Sequence, residues 1–220
     1  MSHSAIRVKI CGLTRVEEAV ACAELGVDWI GLNFHPASPR YVEPAQAAAI
    51  VAALPSSVSA VGVFVDRPSA VVADLASRTG LGIVQLHGHE SPEVVGLLRP
   101  LRVVKAFRLE SYAAWARVVD YLAQAATLGA SPEAVLIDSY VPGKPGGTGH
   151  TIDADLLDGR PPLDHLILAG GLTPDNVTEC IHRVQPWMVD VANGVESAPG
   201  CKDLNKVAAF VRAAKCADVV

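Results

Sequence analysis

The sequence predicts one α/β domain over residues 1–220, a single parallel (β/α)8 barrel of the TIM-barrel class. Three observations lead there. Eight short runs rich in β-branched residues alternate with eight Ala-rich stretches of helical character. The runs start at intervals of about 20 to 32 residues, the length of one strand, one helix and two short loops. They are also continuously apolar, so each strand needs cover on both faces, which a closed parallel barrel ringed by helices supplies. A doubly wound open sheet is the alternative with the same alternation.

Each unit carries its own signals. "IRVKI" (6–10) runs into "CGLTR", where Thr14 followed by Glu17 reads as a helix-capping box and Gly26 as the stop of the first helix. "WIGLNF" (29–34), "SAVGVFV" (59–65) and "IVQLHG" (83–88) come next, with Pro44, Pro68 and Pro92 where a first helical turn should begin. "RVVKAF" (102–107) and "AVLIDS" (134–139) follow, the latter leading to the Gly/Pro-rich "PGKPGGTG" (142–149). That stretch lacks the Walker order, in which Lys-Ser/Thr follows the last glycine, and reads as a mobile lid. "HLILAGG" (165–171), with Pro174 opening its helix, and "WMVDVANG" (187–194) complete the set, with no linker or composition shift between units.

Composition excludes several classes of function. Half of the 220 residues are hydrophobic and 19% are charged, a balance that fits a packed globule and not a disordered chain. The net charge of -5 provides no basic stripe for nucleic acid, so an anionic ligand needs a local site. "MSHSAIRVKICG" has no apolar signal core, and no run reaches the roughly eighteen apolar residues of a membrane span, so a cytoplasmic location is expected. The cysteines at 11, 22, 180, 201 and 216 lack Cys-x-x-Cys spacing, which argues against a disulfide framework or zinc ribbon. His87 and His89 in "HGHE" are two apart, but no matching carboxylate and histidine set accompanies them, and no metal is expected.

Polar residues gather at the C-terminal ends of the runs: Lys9 and Cys11, Asn33, Gln85 and His87, Lys105, Asp138, Asp190 and Asn193. In barrel enzymes that rim builds the active site. Lys9 and Cys11 share strand parity, so both face the interior, where Lys9 needs an anionic neighbour and can favour a thiolate at Cys11. The plainer readings are a packed thiol and a structural ion pair. Asp138 ends an apolar strand; a buried carboxyl there is raised toward neutral pH and can donate a proton, the alternative being a loop cap. Gly170 and Gly171 in "LAGGLTPDN", with Asn193 and Gly194 in "VANGVE", sit where barrels commonly bind phosphate through backbone N–H groups, although tight turns also use glycine. Arg40 in "SPRYV" is a loop cation.

Taken in order, "KICGLTR", "GLNFHPASPRYV", "VGVFVD", "QLHGHE", "LIDS", "GGTGHTID", "LAGGLTPDNV" and "VDVANGVESAPGCKD" resemble the phosphoribosylanthranilate isomerase family of tryptophan biosynthesis. The resemblance implies a cofactor-free Amadori rearrangement of a small phosphosugar substrate, N-(5-phosphoribosyl)anthranilate, by a monomer or homodimer. It implies Cys11 as general base and Asp138 as general acid. Arg40 is matched to the anthranilate carboxylate, Asp190 to the ribose hydroxyls, and His87 to a substrate contact. Two departures stand out: Asn193 where many members carry serine, and Ile152 where an aromatic is common. The related isomerase of histidine biosynthesis uses an aspartate at the end of strand one, so Cys11 speaks against it. A non-catalytic phosphosugar-binding barrel would need neither Cys11 nor Asp138.

Overall fold

The computed structural model describes residues 6–138, 157 and 159–217, and within them eight parallel strands close into a barrel in the order β1 to β8. The strands are β1 (Arg7–Cys11), β2 (Trp29–Asn33), β3 (Ser59–Phe64), β4 (Ile83–Leu86), β5 (Arg102–Arg108), β6 (Ala134–Asp138), β7 (Leu166–Ala169) and β8 (Met188–Val191). Around them run α1 (Val16–Glu24), α2 (Pro44–Ala53), α3 (Ser69–Thr79), α4 (Pro92–Leu97), α5 (Ala114–Thr127), α6 (Val177–Val184) and α7 (Leu204–Lys215). The expected lid at 142–149 and Ile152 lie outside the described residues, as does most of the stretch between β6 and β7 that should hold the remaining helix.

Strand parity divides the core into two layers. Val8 and Ile10, Ile30 and Leu32, Val84 and Leu86, Val135 and Ile137, and Leu166 and Leu168 face outward and pack under the helices. The alternate positions, among them Trp29, Val61, Ile83, Val104, Leu136, Ile167 and Met188, fill the interior as a separate cluster. Arg7 lies over Trp187 at 4.5 Å, and Trp187 meets Trp29 edge-on at 5.5 Å, closing the N-terminal end. That end is devoted to packing, which leaves chemistry to the other rim.

The helix signals hold in part. Pro44 and Pro92 are first residues of α2 and α4, and Gly26 follows α1 with φ +88, the left-handed region glycine enters most readily. Pro68 is the residue before α3, and Pro174 stands three residues ahead of α6. The capping box does not form. Arg15 precedes α1 without a side-chain cap, because the Thr14 hydroxyl donates instead to the carbonyl of Gly200 at 2.9 Å. Gly200 belongs to an unpredicted antiparallel hairpin, β9 (Glu196–Ala198) with β10 (Cys201–Lys202), which follows β8 and folds back against the end of β1. Among the described residues, no helix is long and apolar enough to cross a membrane.

Candidate active site

Register brings the interior polar residues together. Lys9 on β1 is the Cα partner of Asp190 on β8, and its ammonium donates to Asp190 Oδ2 at 2.7 Å and to Gln85 Oε1 at 3.0 Å. Lys9 is 0% exposed, so these acceptors replace its hydration. Burial pulls the ammonium down, but its polar partners, the Asp190 carboxylate foremost, outweigh it and hold Lys9 above its ordinary value. The chain continues across the mouth, with Gln85 Nε2 3.0 Å from His87 Nδ1 and His87 Nε2 3.6 Å from Asp138 Oδ2. Two buried atoms in it, Asp190 Oδ1 and His87 Nε2, have no hydrogen-bond partner among the described residues. Unsatisfied buried polar atoms are costly, and these two line the end of the barrel expected to hold substrate.

Cys11 ends β1 partly exposed, with its sulfur directly over Gly31 of β2; a Cβ at Gly31 would stand 2.7 Å from Sγ. Lys9 pulls this thiol down, as the sequence suggests, but the net shift is upward. Burial pushes the Cys11 thiol up, and the opposing pull of Lys9 and Lys202 does not cancel it, in part because Asp190 pushes the same way as burial.

Arg40 reaches the same rim from the loop after β2. Asn33 and Ser38 organise that loop: Asn33 Nδ2 donates to Ser38 Oγ, which also accepts from the Arg40 amide at 3.1 Å. The Arg40 stem crosses Gly12, where a Cβ would lie 2.5 Å from Arg40 Cδ. Its guanidinium forks onto Glu196, Nε to Oε1 at 2.8 Å and Nη2 to Oε2 at 2.6 Å. Lys202, with its side chain 0% exposed, donates to Glu196 Oε1 at 2.8 Å and to the carbonyls of Cys11 at 2.7 Å and Ala192 at 3.1 Å. This triad pins the ends of β1 and β8 to the hairpin and carries one net positive charge beside Cys11.

Burial pushes the Glu196 carboxyl up, but its hydrogen bonds and ion pairs with Arg40 and Lys202 outweigh that and hold it below the ordinary carboxylate value. Because its folded pKa is depressed, its stabilisation is fully present above about pH 4.3 and is lost as pH falls through the lowered value. Glu196→Ala strands the buried ammonium of Lys202 and is expected to cost about 3–5 kcal/mol in urea unfolding, with weaker acid dependence below that pH. A variant with the wild-type urea midpoint would refute the structural role.

The two glycine loops meet as expected. Asn176 clamps the loop after β7, accepting from the Thr173 amide at 2.8 Å and donating to the Gly171 carbonyl at 3.0 Å. Gly170 and Gly171 have φ +93 and +66. After β8 the chain makes a 3-10 turn over Asn193–Val195, and Gly194 lies so close to this loop that a Cβ would stand 1.9 Å from the Leu172 carbonyl oxygen. The first amides of such a turn, those of Asn193 and Gly194, have no partner within it. Asn193 itself is exposed at the mouth.

Lys105 is held apart from the interior chain. It shares the outward face of β5 with Val103 and Phe107, and its ammonium binds Glu90 Oε2 at 3.0 Å and the carbonyls of Leu86, Gly88 and Ala106. Glu90 in turn accepts from the amides of Asp66 and Gly88, so this ion pair braces the loop that carries His87. A cleft of about 720 Å³ opens here, lined by Asn33, His87 and Arg108 among others. Among the described residues no cluster of three or more His, Cys, Asp or Glu could hold a metal ion.

A thiol, a carboxyl group, a guanidinium and paired glycine loops on one barrel rim match the order of the family motifs. A family model of N-(5'-phosphoribosyl)anthranilate (PRA) isomerase matches residues 8–213. The chain belongs to the PRA isomerase family. The N-(5'-phosphoribosyl)anthranilate isomerase of Geobacter sulfurreducens is 46% identical over 210 residues, 96% of this chain and 98% of that relative. The crystal structure of phosphoribosyl anthranilate isomerase from Thermotoga maritima matches with a TM-score of 0.86 at 38% identity, covering 96% of this chain and 98% of that one. A second solved isomerase, in complex with reduced 1-(o-carboxyphenylamino)-1-deoxyribulose 5-phosphate, matches with a TM-score of 0.81 at 35% identity, over 96% of this chain and 98% of that one.

For a PRA isomerase, the sequence reading gave no role to Glu196, Lys202 or Gln85. The first two sit inside the quoted "VDVANGVESAPGCKD". A charged pair among small residues in that stretch was the available signal.

Proposed function

We propose that this chain converts N-(5'-phosphoribosyl)anthranilate to 1-(2-carboxyphenylamino)-1-deoxyribulose 5-phosphate, with Cys11 as general base and Asp138 as general acid. The observation that carries this is the chain Asp190, Lys9, Gln85, His87 and Asp138, which runs from the buried interior to the partly exposed barrel mouth, with Cys11 beside one end and a carboxyl group at the other. Asp138 protonates the furanose ring oxygen, the C1'–O bond breaks, and the anilino nitrogen becomes a protonated Schiff base. That cation acidifies the C2' hydrogen, which Cys11 takes as thiolate. The enolamine then tautomerises to the ketone. Each step is a proton transfer, so no cofactor is required.

Burial pushes the free thiol up, so the reading needs groups that favour the thiolate once substrate is bound. The Schiff-base cation and the net positive charge of the Arg40, Glu196 and Lys202 triad favour it there. Arg40 turns its remaining donors to the anthranilate carboxylate. The orphaned Asp190 Oδ1 accepts from ribose hydroxyls, His87 contacts the substrate beside Asp138, and Gly170, Gly171, Asn193 and Gly194 hold the phosphate through backbone N–H groups. We read the protein as cytoplasmic and as a monomer or homodimer.

The direct test is loss of phosphoribosylanthranilate with the purified chain; no loss above the uncatalysed rate would overturn the reading. The phosphate loops have their own test. Inorganic phosphate should compete with substrate, and Gly194→Ala, forcing the 3-10 turn away from Leu172, should raise KM about 10-fold or more, since hydrogen bonds to charged groups are worth about 1.5–3 kcal/mol. Gly171→Val should act likewise. Absence of inhibition at millimolar phosphate, or an unchanged KM, would move the anion site elsewhere.

A further inference from the structure

We propose that Gln85 is a positioning residue that fixes the tautomer of His87 and thereby aims an imidazole N–H at Asp138. Gln85 is 1% exposed inside the barrel, and the two ends of its amide face different partners. Lys9 is a donor only, so the atom 3.0 Å from its ammonium must be the amide oxygen. The NH2 group then faces His87 Nδ1 at 3.0 Å and can only donate to it. A reversed amide would set NH2 against the Lys9 ammonium, and Lys9 is itself anchored to Asp190 at 2.7 Å. An Nδ1 that accepts leaves the proton of neutral His87 on Nε2.

His87 Nε2 is buried, lacks a hydrogen-bond partner among the described residues and stands 3.6 Å from Asp138 Oδ2. An N–H there stabilises the carboxylate that forms as Asp138 gives its proton to the substrate. The opposite tautomer would present a lone pair to that carboxylate and oppose proton donation. The strong cation of the barrel, Lys9, thus acts on the acid side of the site through one neutral amide. The catalytic consequence rests on the reading of Asp138 as general acid; the tautomer itself does not.

The test is a long-range proton–nitrogen correlation spectrum of the His87 ring in the substrate-free wild type, assigned by its loss in His87→Gln. The expected result is a pyridine-like Nδ1 and a pyrrole-like Nε2. In Gln85→Glu the carboxylate accepts from Lys9 and from a proton on Nδ1, so the two nitrogen shifts should exchange. Its kcat should fall about 10- to 100-fold, the loss typical of removing a group that orients a functional histidine, with KM nearly unchanged. A pyrrole-like Nδ1 in the wild type overturns the proposal without any variant, as does a Gln85→Glu protein with wild-type kcat. A wild type with the expected tautomer and no turnover of phosphoribosylanthranilate would instead overturn the catalytic reading, and with it the positioning role, leaving the tautomer standing.

Discussion

Cys11→Ala is expected to abolish isomerase turnover, a fall of about 10⁴-fold, while leaving the barrel intact. The thiol sits partly exposed at the end of β1 over Gly31, so its removal opens space at the mouth and not in the core. Circular dichroism and the melting temperature should therefore stay at wild-type values. Alkylation provides an independent check. Because burial pushes the Cys11 thiol up, iodoacetamide should inactivate the substrate-free protein slowly at neutral pH and faster as pH rises beyond the ordinary thiol value of about 8.5. A product analogue should protect. Cys22 and Cys180 are buried, with thiols pushed up to about 12 and about 11, and Cys201 and Cys216 belong to the hairpin and the end of α7 and not to a barrel strand, so Ala at any of these four should leave inactivation and protection unchanged. Full activity in Cys11→Ala would remove the thiol from the mechanism, and inactivation independent of pH would overturn the upward shift of the thiol.

The parts legible in the sequence were those set by periodicity. Strand parity alone put Lys9 and Cys11 inside the barrel and required an anion near Lys9, which the register with β8 supplies as Asp190. The sign of the Cys11 shift was not legible, since it is a difference between desolvation and partner charge and depends on burial depth. The facing of Lys105 was not legible, because all of "RVVKAF" is compatible with a strand, and only the register of β5 decides which alternate residues face out. Thr14 was read as a local cap because its competitor, the Gly200 carbonyl, lies 186 residues away. Lys202 and Glu196 escaped for a related reason: the hairpin that pairs them is too short to leave a period. Gln85 was visible as a polar rim residue, but its role needs two partners on different strands.

Asp138→Asn is expected to lower kcat by about 10²- to 10⁴-fold with little change in KM, because a carboxamide keeps the shape of the side chain but has no proton to give at neutral pH. The site tolerates the swap sterically: Asp138 ends β6 at the mouth, paired in register with Arg108, and is only partly buried. An asparagine oxygen can still accept from the Nε2–H of His87, so the loop after β4 should keep its place and product-analogue affinity should stay within a few-fold of wild type. The loss would then fall on the ring-opening step alone. That step precedes the work of Cys11, so a substrate supplied already ring-opened should recover much of the rate in Asp138→Asn and none in Cys11→Ala. Near wild-type turnover by Asp138→Asn with an intact fold would assign the acid elsewhere. Equal failure of both variants on the open-chain substrate would mean that Asp138 also acts after ring opening, contrary to the division of labour proposed for the two residues.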